Sequence, residues 1–146
     1  AYLSQHLGAQ RVEQAEPVVC YKVLYVTPLL RFMSGYESVI WNDNHLIAQC
    51  WHSHPVPERL CQCGIYALRN FSERSTYGNP YFVVYVKVAL SGEIIECEQG
   101  YRGQYAEILE VQISSDICGT RAGQWLSVEE FRKLCRWHQG SCAEVH

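Results

Sequence analysis

Cys50, His52 and His54 stand at i, i+2 and i+4, and Cys61 and Cys63 follow as a second i, i+2 pair. Side chains of an extended chain alternate faces with a period of two, so each set can project from one face. Thiolate and imidazole are ligands that zinc prefers, and a structural zinc site closes a tetrahedron with four of them. Cys50, Cys61, Cys63 and one of His52 or His54 meet that requirement. A metal would also order the proline-bounded segment 55–60, whose only ordinary core residues are Val56 and Leu60. No water-activating glutamate stands beside the cluster as in a zinc hydrolase, so the expected role is structural rather than catalytic. The competing expectation is plain packing, with Cys50 and Cys63 as small buried hydrophobes and the histidines at the surface. A Cys61 or Cys63 nucleophile served by His52 or His54 is a third use, and it needs a thiolate in an open, electropositive pocket. Cys135, His138 and Cys142 repeat the ligand types near the C-terminus, but Cys135 falls on an apolar helix face, which favours packing there.

The elements around the cluster read mostly as strands. Cys20–Val26 is dense in β-branched and aromatic residues. Tyr36–Trp41 and His45–Trp51 are two more strand-like runs, expected to form a hairpin across Asn42-Asp43-Asn44, so that the first ligands leave its second strand. Pro55 and Pro57 end that strand because they donate no hydrogen bond to a ladder. Gly64–Leu68 is the next strand, Tyr81–Leu90 the longest, and Ser91-Gly92 a hairpin turn into Glu93–Cys97. Gly100-Tyr101-Arg102-Gly103 reads as a turn or loop whose glycines allow close backbone approach, Glu107–Ile113 as a last strand and Ser114–Gly123 as a loop. Short helices are expected over Pro28–Ser34 and from Asn70 to Thr76. Ser127-Val128-Glu129-Glu130 is a capping box with Leu126 and Phe131 as its staple, opening a helix with Val128, Phe131, Leu134 and Cys135 on one face. The expected class is α+β: a single domain over 1–146 with a curved, mostly antiparallel sheet, a few short helices and a C-terminal helix, and with 1–19 as an N-terminal arm of weak helical pattern.

A chain of 146 residues with 48% hydrophobic residues has the material for one core. Twelve Lys and Arg against fifteen Asp and Glu give a net charge of −3, without the concentrated basic face of a duplex-binding domain, so general nucleic-acid binding is disfavoured. No apolar run is long enough to cross a membrane, and the polar first residues lack the pattern of a signal peptide, which makes a cytoplasmic location the expectation. In a reducing compartment eight cysteines point to metal ligands or buried thiols rather than disulfides. No phosphate loop, dinucleotide fingerprint, nucleophile elbow or zincin motif occurs.

Cys63-Gly64-Ile65-Tyr66-Ala67, the Ser-containing segment with Ser72 and Ser75, the strand Phe82–Leu90 and the glutamate strand Glu107–Val111 together resemble the C-terminal half of the ADP-ribosyltransferase fold. The Cys-Gly-Ile-Tyr-Ala and Gly100-Tyr101-Arg102 segments are also similar to an uncharacterised family of small bacterial and phage-borne domains. The first resemblance implies a cleft for NAD, with Tyr66 stacking on nicotinamide and Glu107 as the catalytic carboxylate beside an oxocarbenium-like ribose. The sequence departs from that pattern at the first motif, where Lys22 stands in place of His or Arg. Gln104 competes with Glu107 for the catalytic register.

The functional expectation is a small cytoplasmic module for a nucleotide-like ligand, with structural zinc. Lys22, Tyr66, Tyr101 and Arg102 are its candidate ligand-binding residues, and Arg102 offers a planar fork to phosphate. The bland alternatives are a core aromatic for Tyr66, a surface arginine at a turn for Arg102 and a solvated strand start for Glu107. An enzyme using NAD through Tyr66 and Glu107 is the alternative function, and a protein-interaction module without a small-molecule ligand is the third.

Overall fold

The computed structural model describes residues 10–12, 16–34, 39–50, 54, 56–58, 60–71, 82–113 and 119–137. These form β1 (Gln10–Val12), β2 (Val18–Val26), β3 (Phe32–Ser34), β4 (Val39–Ile40), β5 (His45–Ile47), β6 (Ile65–Leu68), β7 (Phe82–Glu96), β8 (Gly100–Ile113), β9 (Trp125–Ser127) and one helix, α1 (Val128–Trp137). The strands belong to one nine-stranded hydrogen-bonded sheet, and every pairing with a defined register is antiparallel. The architecture is therefore a mostly antiparallel sheet with a single helix among the described residues, richer in strand than the expected α+β arrangement with several helices. No helix among the described residues is long and apolar enough to cross a membrane.

The chain divides into two compact units. The first comprises Ala1–Lys22, His45–Glu73 and Lys87–Glu107; the second comprises Val23–Asn44, Arg74–Val86 and Ile108–His146. In the first unit β8 is the organising strand. The chain reverses from β7 into β8 at Glu98-Gln99, where the Cys97 N–H donates to the Gly100 carbonyl at 2.8 Å. β6 pairs with the start of β8, from Leu68↔Gly100 to Ile65↔Gly103, and β5 pairs with Tyr105–Glu107. Cys20, Ile65, Leu90, Ile94 and Ile95 are buried there. In the second unit β2, β3 and β4 form a meander. Its core holds Leu24, Trp41, Ile108 and Val111, with Phe32 stacked on Phe131 of α1 at 5.9 Å between ring centroids.

The α1 capping box forms as the sequence predicts: the Ser127 N–H donates to Glu130 Oε1 at 3.0 Å, and the Glu130 N–H donates to Ser127 Oγ at 3.1 Å. Leu126, Phe131, Leu134 and Cys135 are buried on its inner side.

Several local expectations are overturned. Instead of a helix over Pro28–Ser34 there is a tight turn followed by β3. Thr27 closes it, its N–H donating to the Arg31 carbonyl at 2.8 Å and its Oγ1 accepting from the Arg31 N–H at 3.2 Å. Pairing of Tyr25 with Met33 and of Val26 with Phe32 fixes the reversal and puts Phe32 in the core. The hairpin across 42–44 is replaced as well, since β4 pairs with β3 and β5 with β8. Asp43 does turn the chain, at φ 56°, but Asn44 then joins the Ile108 backbone, accepting from its N–H at 2.8 Å and donating its side-chain amide to its carbonyl at 3.3 Å.

Ser91-Gly92 is no turn either. β7 continues through it with Gly92 at φ 74°, a conformation that side chains rarely adopt, and a Cβ there would stand 2.4 Å from Gln104 Oε1 and 2.7 Å from the Tyr105 ring. Gly100–Gly103 likewise opens β8 rather than forming a loop. Glycine serves a positive φ at Gly92 and close approach within the sheet at Gly100. Of the expected N-terminal arm, 10–12 form a strand along the end of β7, while 1–9, most of the expected 70–76 helix, and Cys118, His138 and Cys142 lie outside the described residues.

Candidate metal centre

β8 brings the two halves of the cysteine–histidine cluster together. β5 ends opposite Tyr105 and β6 begins opposite Gly103, so the two ends of segment 48–64 are held two residues apart along one strand. The Ala48 N–H extends the β5 ladder by donating to the Gln104 carbonyl at 2.8 Å. Cys50 lies just beyond that anchor, and Cys61 and Cys63 lie just before β6. Gly64 makes the entry into β6 at φ 113°, a backbone conformation that side chains rarely adopt, and a Cβ there would stand 3.0 Å from Pro57 Cβ. The Cys61 N–H donates to the Glu58 carbonyl at 3.1 Å and closes the turn that carries both later cysteines.

The ligand atoms of Cys50, His54, Cys61 and Cys63 all lie within 4.8 Å of one another. Cys50 Sγ is 3.6 Å from His54 Nε2 and 3.7 Å from Cys61 Sγ. Zinc–sulfur bonds of about 2.3 Å and zinc–nitrogen bonds of about 2.0–2.1 Å at the tetrahedral angle require edges of about 3.8 Å between sulfurs and about 3.6 Å from sulfur to nitrogen. The two separations match those edges. They are far from the roughly 2.05 Å of a disulfide, and all four residues are half-buried, with the three cysteines free. These four side chains could hold a metal ion. His54 is the histidine in the cluster; His52 lies outside the described residues.

The thiols are unequal. Burial acts to raise the Cys61 pKa, but hydrogen bonds from the Cys63 backbone and from His54, Cys50 and Cys63 outweigh it and bring this thiol down to about 6. Burial pushes Cys63 up to about 11, reinforced by the hydrogen bond and negative charge of Cys61 and against the pull of a backbone hydrogen bond at Glu58. Cys61 thus ionises before Cys63.

Arg102 sits behind this loop. Its side chain is only 1% exposed, and its Nη1 donates to the carbonyls of Glu58 at 3.2 Å and Cys63 at 3.0 Å, and also to that of Cys61. Its guanidinium carbon lies 5.7 Å from the centroid of the Tyr66 ring, its cross-strand partner. A single buried cation therefore holds the backbone on both sides of the Cys61–Cys63 pair. Sequence reasoning placed a phosphate-facing fork here; the structure places a loop clamp. The flanking glycines were the available signal. They mark a strand whose neighbours come very close, with a Cβ on Gly100 falling 2.0 Å from the Ala67 carbonyl oxygen.

The other candidates are distributed along β2, β6 and β8. Tyr66 is 37% exposed and its hydroxyl donates to the Gln62 carbonyl at 2.9 Å. Lys22 Nζ donates to the Tyr66 carbonyl at 2.7 Å. Tyr101 lies under Arg69, whose guanidinium carbon is 5.1 Å from the ring centroid. Arg69 also donates to the carbonyls of Glu98 and Cys97 at 2.9 and 3.0 Å, and so pins the β7–β8 reversal, a role the sequence reading did not foresee. Glu107 faces His45 across the ladder, 3.5 Å away. Tyr66 pairs with Arg102, and Glu107 is five residues further along β8, which at about 3.3 Å per residue separates the two by roughly 16 Å and puts them on opposite faces. Tyr66 and Glu107 are not brought together. Compared with protein-family models, with curated proteins and with solved structures, the chain matches none.

Proposed function

We propose that this protein is a zinc-stabilised binding module in which Cys50, His54, Cys61 and Cys63 hold one structural zinc ion. The observation that carries this reading is the pair of ligand separations, 3.6 and 3.7 Å, which fit the edges of a tetrahedral site. Four protein ligands fill the tetrahedron and leave no open position for a catalytic water, so the metal's work is to tie the end of β5 to the start of β6. Charge supports the same reading. Three thiolates and a neutral imidazole around Zn²⁺ carry a net charge of −1, and the buried Arg102 guanidinium has no carboxylate partner among the described residues. A buried cation beside an anionic site is compensated where an isolated one would not be.

Native mass spectrometry of protein purified without chelator tests this directly. One zinc should be bound, lost on denaturation and absent from both Cys50→Ser and Cys61→Ser, while Cys20→Ser keeps it. A bare-chain mass, or zinc retained by both cluster variants, would overturn the assignment.

A nucleotide-like ligand remains the proposed cargo on one observation: Tyr66 is 37% exposed, with the Lys22 ammonium at its backbone carbonyl. Thermal shift with a nucleotide panel, lost in Tyr66→Ala, is the expected result. No shift with any nucleotide would sink the cargo and leave the protein-interaction alternative. The NAD-dependent alternative has no geometric support in the separation of Tyr66 from Glu107.

A further inference from the structure

The second unit contains a concavity of about 620 Å³ that shares no lining residue with the cysteine cluster. That volume lies within the roughly 300–1,000 Å³ typical of small-molecule sites. Its walls come from the Leu29–Arg31 turn, the Ile40–Asp43 segment and the outer side of α1. Three features of this wall point to one class of ligand.

The first is charge. Arg31, Arg132 and Arg136 line the concavity and Asp43 is the single acidic residue among its lining. Asp43 is already engaged by Arg132, which also lies over the Phe32 ring at 5.3 Å. Arg31 and Arg136 are exposed and have no acidic partner among the described residues.

The second feature is apolar surface beside those cations. Leu29 is 82% exposed and Ile40 is 48% exposed. The third is backbone strain. The two non-glycine residues with positive φ among the described residues are Leu30, at 62°, and Asp43, at 56°, and both line this concavity. Asp tolerates that conformation, but a bulky leucine there is an outlier of the kind that collects at ligand sites.

We infer that this concavity binds a small amphipathic anion, a carboxylate or phosphate head group on Arg31 and Arg136 with an apolar body along Leu29 and Ile40. Guanidinium forks suit either head group because both accept parallel hydrogen bonds.

Trp41 lines the concavity and its indole N–H donates to Ser34 Oγ at 2.9 Å, which makes its ¹⁵N–¹H resonance a well-placed reporter. The metal-replete protein is titrated with octanoate, octyl phosphate, octanol and acetate. Octanoate or octyl phosphate should shift the Trp41 indole resonance saturably, while octanol and acetate, each lacking one half of the ligand, should not; the tighter of the two anions identifies the head group. Arg31→Ala and Arg136→Ala, both at exposed positions, should each weaken that binding about tenfold, as expected for loss of a charge-assisted hydrogen bond. Unaltered affinity in both variants, octanol binding as tightly as octanoate, or no saturable shift with either anion overturns the proposal. An acidic peptide that shifts the resonance when neither amphiphile does would also overturn it, and reassign the face to protein docking.

Discussion

Replacing Arg102 with methionine should weaken zinc binding without touching a ligand. The substitution keeps a long, flexible side chain in the interior but removes the donor shared by the carbonyls of Glu58, Cys61 and Cys63. Nη1 carries two hydrogens for those three acceptors, so about two charge-assisted hydrogen bonds are lost, each worth about 1.5–3 kcal/mol. Part of that returns because the buried guanidinium no longer has to be desolvated. Water can also reach the half-buried carbonyls of Glu58, Cys61 and Cys63. A net loss of about 2–3 kcal/mol follows, concentrated in the turn that carries Cys61 and Cys63. If that turn must be reordered each time the metal binds, zinc affinity falls about 100-fold, near the upper end of what supporting residues contribute at metal sites. Competition against a chromophoric chelator measures the affinity. Cobalt substitution checks the ligand set, because the saturated variant should keep the wild-type absorption bands. Arg102→Lys should recover part of the loss, since it restores the charge beside the thiolates but not the fork. Wild-type zinc affinity in Arg102→Met would refute the reasoning, and so would altered cobalt bands, which would mean that the residue shapes the ligand set itself.

Two further outcomes follow from the same geometry. In the zinc-free protein, iodoacetamide near neutral pH should label Cys61 well ahead of Cys63, because a thiol brought down to about 6 is ionised there and one pushed up to about 11 is not. Labelling of Cys61 should rise as pH passes through its depressed value, and zinc should suppress it; equal rates for the two cysteines would contradict the hydrogen-bond arrangement. Gly100→Ala should destabilise the fold by about 3 kcal/mol or prevent it, because the added Cβ meets backbone atoms of β6, 2.0 Å from the Ala67 oxygen and 2.9 Å from Leu68 Cα, rather than a side chain that can move. A urea midpoint unchanged from wild type would remove the close β6–β8 contact from the account.

What was legible in the sequence was local. β2 announces itself by β-branched and aromatic density, β6 by its short apolar run, and α1 by a Ser-x-x-Glu box whose two hydrogen bonds form as expected. What was not legible was pairing over distance. Nothing in His45–Ile47 says that its partner is Tyr105–Glu107 rather than the preceding strand, because a three-residue strand has too little pattern to specify a register. Glycine added a second ambiguity. The same residue type serves a reversal, a positive φ within a strand or a close approach, and the structure uses the second at Gly92 and the third at Gly100.

The cysteines show where sequence spacing does discriminate. Cys20, Cys97 and Cys135 are buried, each alone on a strand, a strand end or a helix face, and burial pushes the Cys20 and Cys135 thiols up to about 11. These behave as small hydrophobes, which is the packing role the sequence allowed for all of them. Cys50, Cys61 and Cys63 differ in being half-buried and in meeting one another and His54 at ligand distances. A thiol in an apolar core is held protonated and inert, whereas a half-buried group of three with an imidazole can ionise. The count of eight cysteines could not separate these two populations. The close spacing of Cys61 and Cys63 could, because one short turn, closed by the Cys61 N–H on the Glu58 carbonyl, carries both thiols to the start of β6 instead of dispersing them through the core.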